Sequence, residues 1–385
     1  MNKIIEYSFF LMAYYFTRLY AWLIPIRRNR FVFFCMGGNS YGDSVKCLSD
    51  YISDNHENAE IVWAFSNHYY GKVDCCHKKV IFGSFKYYYY VISSKFFISN
   101  CYAPFMIIKR NGQVVLQTWH GTALKRIGLD SVDTNDHTKF ENFIRPDVKK
   151  EGNQQTDIFI SGSTFMTEVY HRALGYSKEI SLTGTPRTDV FFNKRHDIVE
   201  KVRRSFGIPD VNNIILYAPT FRPGGSFEYY DIDLSSIKDF FTKKEGHEYV
   251  IMVRLHPNIA AKSDDLRKFL SYDYIDASFY PDMQDLLCAT DVLITDYSSV
   301  MFDFMFTYRP VIMYTPDKEI YNRGFYFDTD RLPFIKIANN NEIEKELSQY
   351  EYEKYKNDII GFCKKYGFVE DGKATERVYT LLMSK

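Results

Sequence analysis

Four groups of polar residues in this chain each follow directly on an apolar run that reads as a β-strand. VVLQTW (114–119) runs into His120, Gly121 and Thr122, and NIILYA (213–218) runs into Pro219, Thr220, Phe221 and Arg222. YVIMVRL (249–255) runs into His256 and Pro257, and DVLIT (291–295) runs into Asp296, Tyr297, Ser298 and Ser299, ahead of a helical stretch to about Phe306. In open parallel sheets, ligands bind beyond the carboxyl ends of the strands, where loops converge. One site assembled from all four groups accounts for them together, and the chemistry they suit is transfer involving a phosphate. Ser298 and Ser299 stand at a predicted helix N-terminus, where free N–H groups and the dipole favour an anion; the alternative is that Ser298 merely caps the helix. Arg222 carries a planar fork matched to phosphate oxygens, or else it is a solvated or ion-paired side chain. His120, with backbone room at Gly121, suits a general base that takes a proton from a substrate hydroxyl. His256 suits a donor to charge developing on phosphate oxygens.

The elements that must position these groups follow βαβ grammar. FVFFCM (31–36), a helix near 43–54, IVWAF (61–65), FFIS (96–99), DIFIS (157–161) and a helix from Ser163 to Leu174 build a first sheet with the 114–119 strand. Gly184-Thr185-Pro186 and Gly207-Ile208-Pro209 are breaks, after which the 213–218, 249–255, 291–295 and PVIMY (310–314) runs repeat the pattern. The expectation is an α/β chain of two parallel-sheet domains, 29–190 and 191–385, behind an N-terminal segment 1–28, with terminal helices from about 341. A length of 385 residues suits two domains. Lys+Arg and Asp+Glu both total 48, so no net field draws the chain to nucleic acid. Seven cysteines with no Cys-x-x-Cys pair fit a reducing compartment. Cys75-Cys76-His77 lacks zinc-ligand spacing, so no metal site is expected and the motifs name no cofactor. P-loop, Gly-x-Gly-x-x-Gly, Gly-x-Ser-x-Gly and His-Glu-x-x-His signatures are absent, which disfavours nucleotidases, dinucleotide oxidoreductases, serine hydrolases and zinc proteases.

Residues 4–26 are the most apolar stretch, but Glu6 and Arg18 interrupt it, so it reads poorly as a spanning helix. At 100° per residue Asn2, Lys3, Glu6 and Thr17 fall on one side, and Ile4, Ile5, Leu11, Met12, Phe16, Leu19, Trp22 and Leu23 fall largely opposite. With Arg27, Arg28 and Arg30 behind it, this pattern fits a helix lying on an anionic membrane surface; the alternative is an amphipathic helix packed on the first domain.

The strings WHGTALKRIG (119–128), GTPRTD (184–189), YAPTFR (217–222), RLHP (254–257), TDYSSVMFDF (295–304), RGFYFD (323–328) and EDGKATERV (370–378) resemble the CDP-glycerol glycerophosphotransferase family over roughly residues 30–380. The resemblance implies a GT-B-like pair of Rossmann-type domains facing a central cleft, with the acceptor on the N-terminal side and CDP-glycerol mainly on the C-terminal side. It implies transfer of glycerol phosphate from CDP-glycerol to an acceptor hydroxyl with release of CMP, in teichoic-acid or capsular polymer synthesis. His120 then resembles the base and His256 the histidine at the diphosphate. Arg222, Asp296, Ser298, Ser299 and Arg323 match positions near the donor, and Gly121, Thr122 and Lys125 are candidates for acceptor or phosphate contact. Ala123 stands where Pro is common, and Thr188 where Asn is common. An acceptor carried on a polyprenyl diphosphate, or a growing polymer, fits an enzyme held peripherally at the cytoplasmic face of the cell membrane. The competing readings are a CDP-ribitol transferase, a GT-B nucleotide-sugar glycosyltransferase, and a membrane-bound nucleotide-binding scaffold without turnover.

Overall fold

The computed structural model describes residues 12, 15–101, 109–131, 155–193, 196–220, 222, 228–255, 274–321 and 324–385. The chain divides into two compact units: Met1–His120, Thr134–Asp189 and Phe368–Lys385 form the first, and Gly121–Asp133 and Val190–Gly367 the second.

In the first unit β1 (Arg27–Phe34), β2 (Glu60–Phe65), β3 (Lys78–Ile81), β4 (Ser94–Ser99), β5 (Val114–Gln117), β6 (Ile158–Ser161) and β7 (Ile180–Leu182) form one parallel sheet in the order β3-β2-β1-β4-β5-β6-β7. Strands covered on both faces read as unbroken apolar runs, and here both faces are packed. Phe31, Phe33, Trp63, Phe65, Phe96 and Leu116 point to one core, Val32, Phe34, Val62, Phe97 and Val115 to the other. Part of the chain's high aromatic content lies in cross-strand pairs. Phe31 stacks on Phe96 at 4.7 Å and Phe33 on Trp63 at 5.4 Å, both between residues in register. Such pairs stabilise a sheet beyond the area they bury. Helix Thr164–Leu174 starts where Ser163 accepts the Met166 N–H and stops at Gly175, whose φ of 64° suits glycine.

The second unit holds β8 (Asn213–Tyr217), β9 (Tyr249–Val253), β10 (Ile275–Asp276), β11 (Val292–Thr295), β12 (Val311–Tyr314) and β13 (Ile335–Ile337), all parallel, in the order β10-β9-β8-β11-β12-β13. Each sheet therefore starts in its middle, grows to one side, and then reverses, between β1 and β4 and again between β8 and β11. That reversal is the topological switch point at which open α/β sheets bind ligands.

Three features differ from the sequence reading. The first strand begins at Arg27, so residues 27 and 28 belong to it and not to a separate leading segment. Arg30 does not face a membrane surface: it is buried, donates to Glu60 Oε2 at 2.7 Å and to Ser93 Oγ, and its guanidinium lies 5.3 Å from the Tyr89 ring centre and 4.8 Å from that of Tyr90. Pairing of Arg30 with Glu60 in the sheet register accounts for its burial. Finally, the last eighteen residues return to the first unit instead of closing the second. Val378 and Leu382 of helix Ala374–Met383 enter the first core, Asp189 accepts the N–H groups of Ala374 (2.9 Å) and Thr375 (2.7 Å), and Glu370 bonds to Thr185 and Thr188.

The expectations for Asn2, Lys3, Ile4, Ile5, Glu6 and Leu11 fall outside the described residues. Just beyond, Thr17 is buried while Met12, Phe16, Leu19, Trp22 and Leu23 are exposed, Trp22 at 75%. Among the described residues no helix is long and apolar enough to cross a membrane.

Candidate functional site

His120 stands three residues beyond β5. Thr118 N–H donates to Ser99 O (2.8 Å) and Trp119 N–H to Gln117 Oε1 (2.9 Å). Trp119 takes φ 55°, uncommon for a bulky side chain, and its ring stacks on the His120 imidazole at 4.4 Å and 22°. Gly121 follows at φ 125°, which needs glycine. His120 Nδ1 lies 2.8 Å from the backbone carbonyl of Asn100. A carbonyl only accepts, so Nδ1 carries the hydrogen and Nε2 the lone pair. Burial pushes the His120 pKa below its ordinary value, against the Asn100 carbonyl and the Asp43 carboxylate, which push it up; Arg187 pushes it down. The ring is thus held neutral at neutral pH, the form a general base requires.

Sequence reasoning did not single out Asn100 or Asp43. Asn100 is wholly buried directly after β4, where its Oδ1 accepts the Met36 N–H (2.8 Å) and its Nδ2 donates to Asp43 Oδ2 (2.8 Å). Arg187, in the GTPRTD turn, pairs with Asp43 at 3.3 Å. The signal that finds them is topological: Cys35 and Met36 follow β1, Asn100 follows β4, and these two strands flank the sheet's reversal.

In the second unit the corresponding reversal brings Arg222 and Asp296 together. Asp296 accepts the Thr220 N–H (3.0 and 3.1 Å), the Thr220 hydroxyl (3.0 Å) and the Tyr297 N–H (2.6 Å), and pairs with Arg222 Nη1 at 2.9 Å. Asp317, also not foreseen, takes the rest of the fork: Nε donates to Oδ2 at 2.6 Å and Nη2 to Oδ1 at 3.2 Å. The guanidinium carbon lies 5.1 Å from the Tyr297 ring centre and 5.3 Å from that of Tyr321. Burial works against this charge, but Asp317 and Asp296 outweigh it and raise the Arg222 pKa. Of the two readings open for Arg222, the ion-paired one is what these bonds describe. One guanidinium against two carboxylates leaves the knot with a formal charge of −1, so its geometry holds the 296–299 turn rather than aiming a spare cation at an anion.

Ser298 and Ser299 sit on that turn. Ser298 Oγ accepts the Val300 N–H at 3.4 Å, and the helix that follows, Val300–Phe304, continues into a 3₁₀ turn, Met305–Thr307. Gly121, Thr122 and Lys125 lie on a strap, residues 121–131, that packs against residues 324–326 of the second unit. Lys125 bridges Phe325, Arg126 N–H donates to Gly324 O (3.1 Å), Tyr326 N–H to Leu124 O (2.9 Å), and the Tyr326 hydroxyl bonds to Asp130 at 2.9 Å. Residues 124–130 and 324–326 of the second unit thereby pack together, and the chain leaves the first unit immediately after His120. His256 and Arg323 lie outside the described residues. The strand end before His256 is anchored by Leu255 N–H to Ser278 Oγ (3.1 Å) and Arg254 Nη1 to Tyr280 O (2.7 Å).

A family profile described as CDP-Glycerol:Poly(glycerophosphate) glycerophosphotransferase matches residues 16–384. The chain is 30% identical over 373 residues to a teichoic acid poly(glycerol phosphate) polymerase of Bacillus subtilis (strain 168), covering 92% of this chain and 48% of that protein. It thus spans about half the length of that relative. It is 29% identical over 395 residues to a teichoic acid glycerol-phosphate transferase of Staphylococcus aureus (strain NCTC 8325 / PS 47), covering 98% and 97% of the two chains. The solved structure of the wall teichoic acid polymerase TagF matches with a TM-score of 0.80 at 30% identity, covering 93% of this chain and 89% of that one. With two parallel-sheet units and this neighbour, the fold is GT-B-like.

Proposed function

We propose that this chain, which belongs to the CDP-glycerol:poly(glycerophosphate) glycerophosphotransferase family, transfers glycerol phosphate from CDP-glycerol to a hydroxyl of a membrane-linked acceptor and releases CMP. The observation that carries the reading is the bond from His120 Nδ1–H to the Asn100 carbonyl, which leaves Nε2 as a base on a neutral ring. The acceptor oxygen attacks the β-phosphorus in line, its proton passes to His120 Nε2, and the bond from that phosphorus to the bridging oxygen breaks, so the electron pair leaves with CMP. His256, Arg323, Ser298 and Ser299 stabilise charge on the diphosphate. Arg222 and Asp296 act on the donor through the turn they hold. Gly121, Thr122 and Lys125 contact the acceptor or a phosphate. Neither a metal nor a covalent enzyme intermediate is needed for the balance.

The acceptor is a polyprenyl-diphosphate-linked saccharide or a growing teichoic-acid-type polymer, and the outward Leu19, Trp22 and Leu23 bring the enzyme to the anionic cytoplasmic leaflet as a peripheral protein. The test is incubation of the full chain and lipid acceptor with CDP-glycerol, CDP-ribitol and a panel of nucleotide sugars, scored for released nucleotide. CMP from CDP-glycerol, lost in His120→Ala with donor binding retained, is the expected result. Turnover only with a nucleotide sugar, or near-normal turnover in His120→Ala, overturns it.

A further inference from the structure

The geometry points to Asp43 and Asn100 as positioning residues for His120: the Asn100 side chain, gripped by Asp43, fixes the backbone carbonyl that receives Nδ1–H and so presents the base in a single tautomer. The inference rests on the reading of His120 as the base. No substrate contact is assigned to either residue; both act through the imidazole.

Asn100 has no exposed surface, and its side chain is used at both ends. Oδ1 accepts the Met36 N–H at 2.8 Å, while Nδ2 donates to Asp43 Oδ2 at 2.8 Å and reaches Cys35 Sγ at 3.4 Å. This orientation of the amide follows from its partners, since a backbone N–H can only donate and a carboxylate only accept. With the side chain held at both ends, the Asn100 backbone has less freedom to turn, and its carbonyl lies 2.8 Å from His120 Nδ1.

The backbone around this contact is strained in a way that local sequence does not require. Met36 (φ 46°), Asp43 (φ 63°) and Trp119 (φ 55°) are all non-glycine residues in the left-handed region. Two of them bond to the Asn100 side chain and the third precedes His120. Strain of this kind persists where the surroundings over-determine it, and it gathers at functional sites. Asp43 is itself over-determined: Oδ1 accepts the Ser44 N–H at 2.5 Å, and Arg187 Nη1 lies 3.3 Å from both carboxylate oxygens. When His120 takes the acceptor's proton, positive charge appears on a ring whose Nδ1–H is held by a carbonyl, with the Asp43 carboxylate behind it. Burial keeps the resting ring neutral, and Arg187, paired with that carboxylate, adds a small push the same way.

The experiment uses the full chain with ¹⁵N-labelled histidine, His120→Ala to assign the His120 signals, and steady-state kinetics with CDP-glycerol and lipid acceptor. Wild type is expected to show Nδ1 protonated and Nε2 bare. Asn100→Ala and Asp43→Ala are expected to give mixed tautomers and to lower kcat by about 10- to 100-fold, the size of effect that outer partners have on metal-bound histidines. KM for CDP-glycerol stays within about twofold, because no donor contact is removed. Asp43→Asn, which keeps an oxygen for Asn100, recovers the single tautomer and part of kcat. Asp43 is the first residue of helix Asp43–Asn55 and is only partly buried, whereas Asn100 is wholly buried, so the Asp43 variants carry the test even where Asn100→Ala does not fold. An unchanged tautomer and a kcat within about threefold of wild type in both Asp43 variants, with His120→Ala inactive, overturns the inference. Absence of CMP release by wild type would instead overturn the functional reading, while the nitrogen signals still decide the tautomer.

Discussion

Replacing Arg222 with Ala removes a cation that two buried carboxylates share. Asp296 and Asp317 are both almost fully buried, and Arg222 bonds to Asp317 through two nitrogens and to Asp296 and Thr220 through a third. Breaking a buried pair from one side costs about 3–5 kcal/mol, since the orphaned charge keeps its desolvation penalty. For a unit of about 150–250 residues each kcal/mol moves the melting temperature by roughly 2–4 °C, so Arg222→Ala is expected to melt the second unit roughly 6–20 °C lower. Arg222→Lys falls between, because an ammonium cannot serve Asp317 with two parallel bonds. The double variant Arg222→Ala with Asp317→Ala is less unstable than the two single effects summed, as it strands one carboxylate fewer. The assay is thermal unfolding followed by circular dichroism, paired with CDP-glycerol binding. Asp317→Asn decides between a frame and a phosphate clamp. If Arg222 is a clamp, freeing it from Asp317 tightens donor binding at little thermal cost; that outcome, with Arg222→Ala melting within about 2 °C of wild type, would refute the frame.

Three further outcomes follow from other parts of the chain. The Glu370 carboxyl is enclosed by Gly162, Gly184, Thr185 and Thr188, and burial pushes its pKa up to about 7. Thr188 Oγ1 lies 2.7 Å from Thr185 O and 2.6 Å from Glu370 Oε2; its single hydrogen serves one of them, so a proton on Glu370 completes the other bond. Between pH 4.5 and 7 the folded chain holds a proton that the unfolded chain has released, so stability falls as pH rises through this window, by on the order of 3 kcal/mol in all. Glu370→Gln should flatten this part of the wild-type dependence of melting temperature on pH; identical slopes would show that Glu370 does not titrate there. A Cβ at Gly162 would stand 2.3 Å from Glu370 Oε1 and 2.6 Å from Thr185 Oγ1. Gly162→Ala is therefore expected to cost about 1–3 kcal/mol in denaturant unfolding of the first unit, and a neutral effect would mean that the carboxyl swings aside freely. Changing Leu19, Trp22 and Leu23 together to Ser removes three outward apolar side chains, each contributing about 1.5–3 kcal/mol when buried. Sedimentation with anionic vesicles should then leave the protein in the supernatant, and undiminished binding would assign membrane contact to another surface.

The sheets were legible because parallel strands buried on both faces leave uninterrupted apolar runs, and the histidine and serine groups because they stand where those runs stop. What was hidden depended on which strands become neighbours. FFIS (96–99) reads as a strand, yet Asn100 at its end is an ordinary polar residue until β4 pairs with β1 and sets it beside Met36 and Asp43. Asp317 lies more than ninety residues from Arg222 in sequence, and Val378 and Leu382 return to a core built chiefly by residues 31–116. Helical and strand periodicity carries no information over such separations. The six strands of the second sheet repeat the order of the first six of the first sheet, and at both reversals the loops leaving two adjacent strands turn opposite ways. Each is closed by an Arg–Asp pair in a polar knot, Arg187 with Asp43 beside Asn100 in one and Arg222 with Asp296 and Asp317 in the other. Such a knot is costly to desolvate and adds little stability over an apolar filling, but it fixes direction where packing cannot. Substitutions within either knot should therefore disturb the orientation of the neighbouring reactive group, His120 or the Ser298–Ser299 turn.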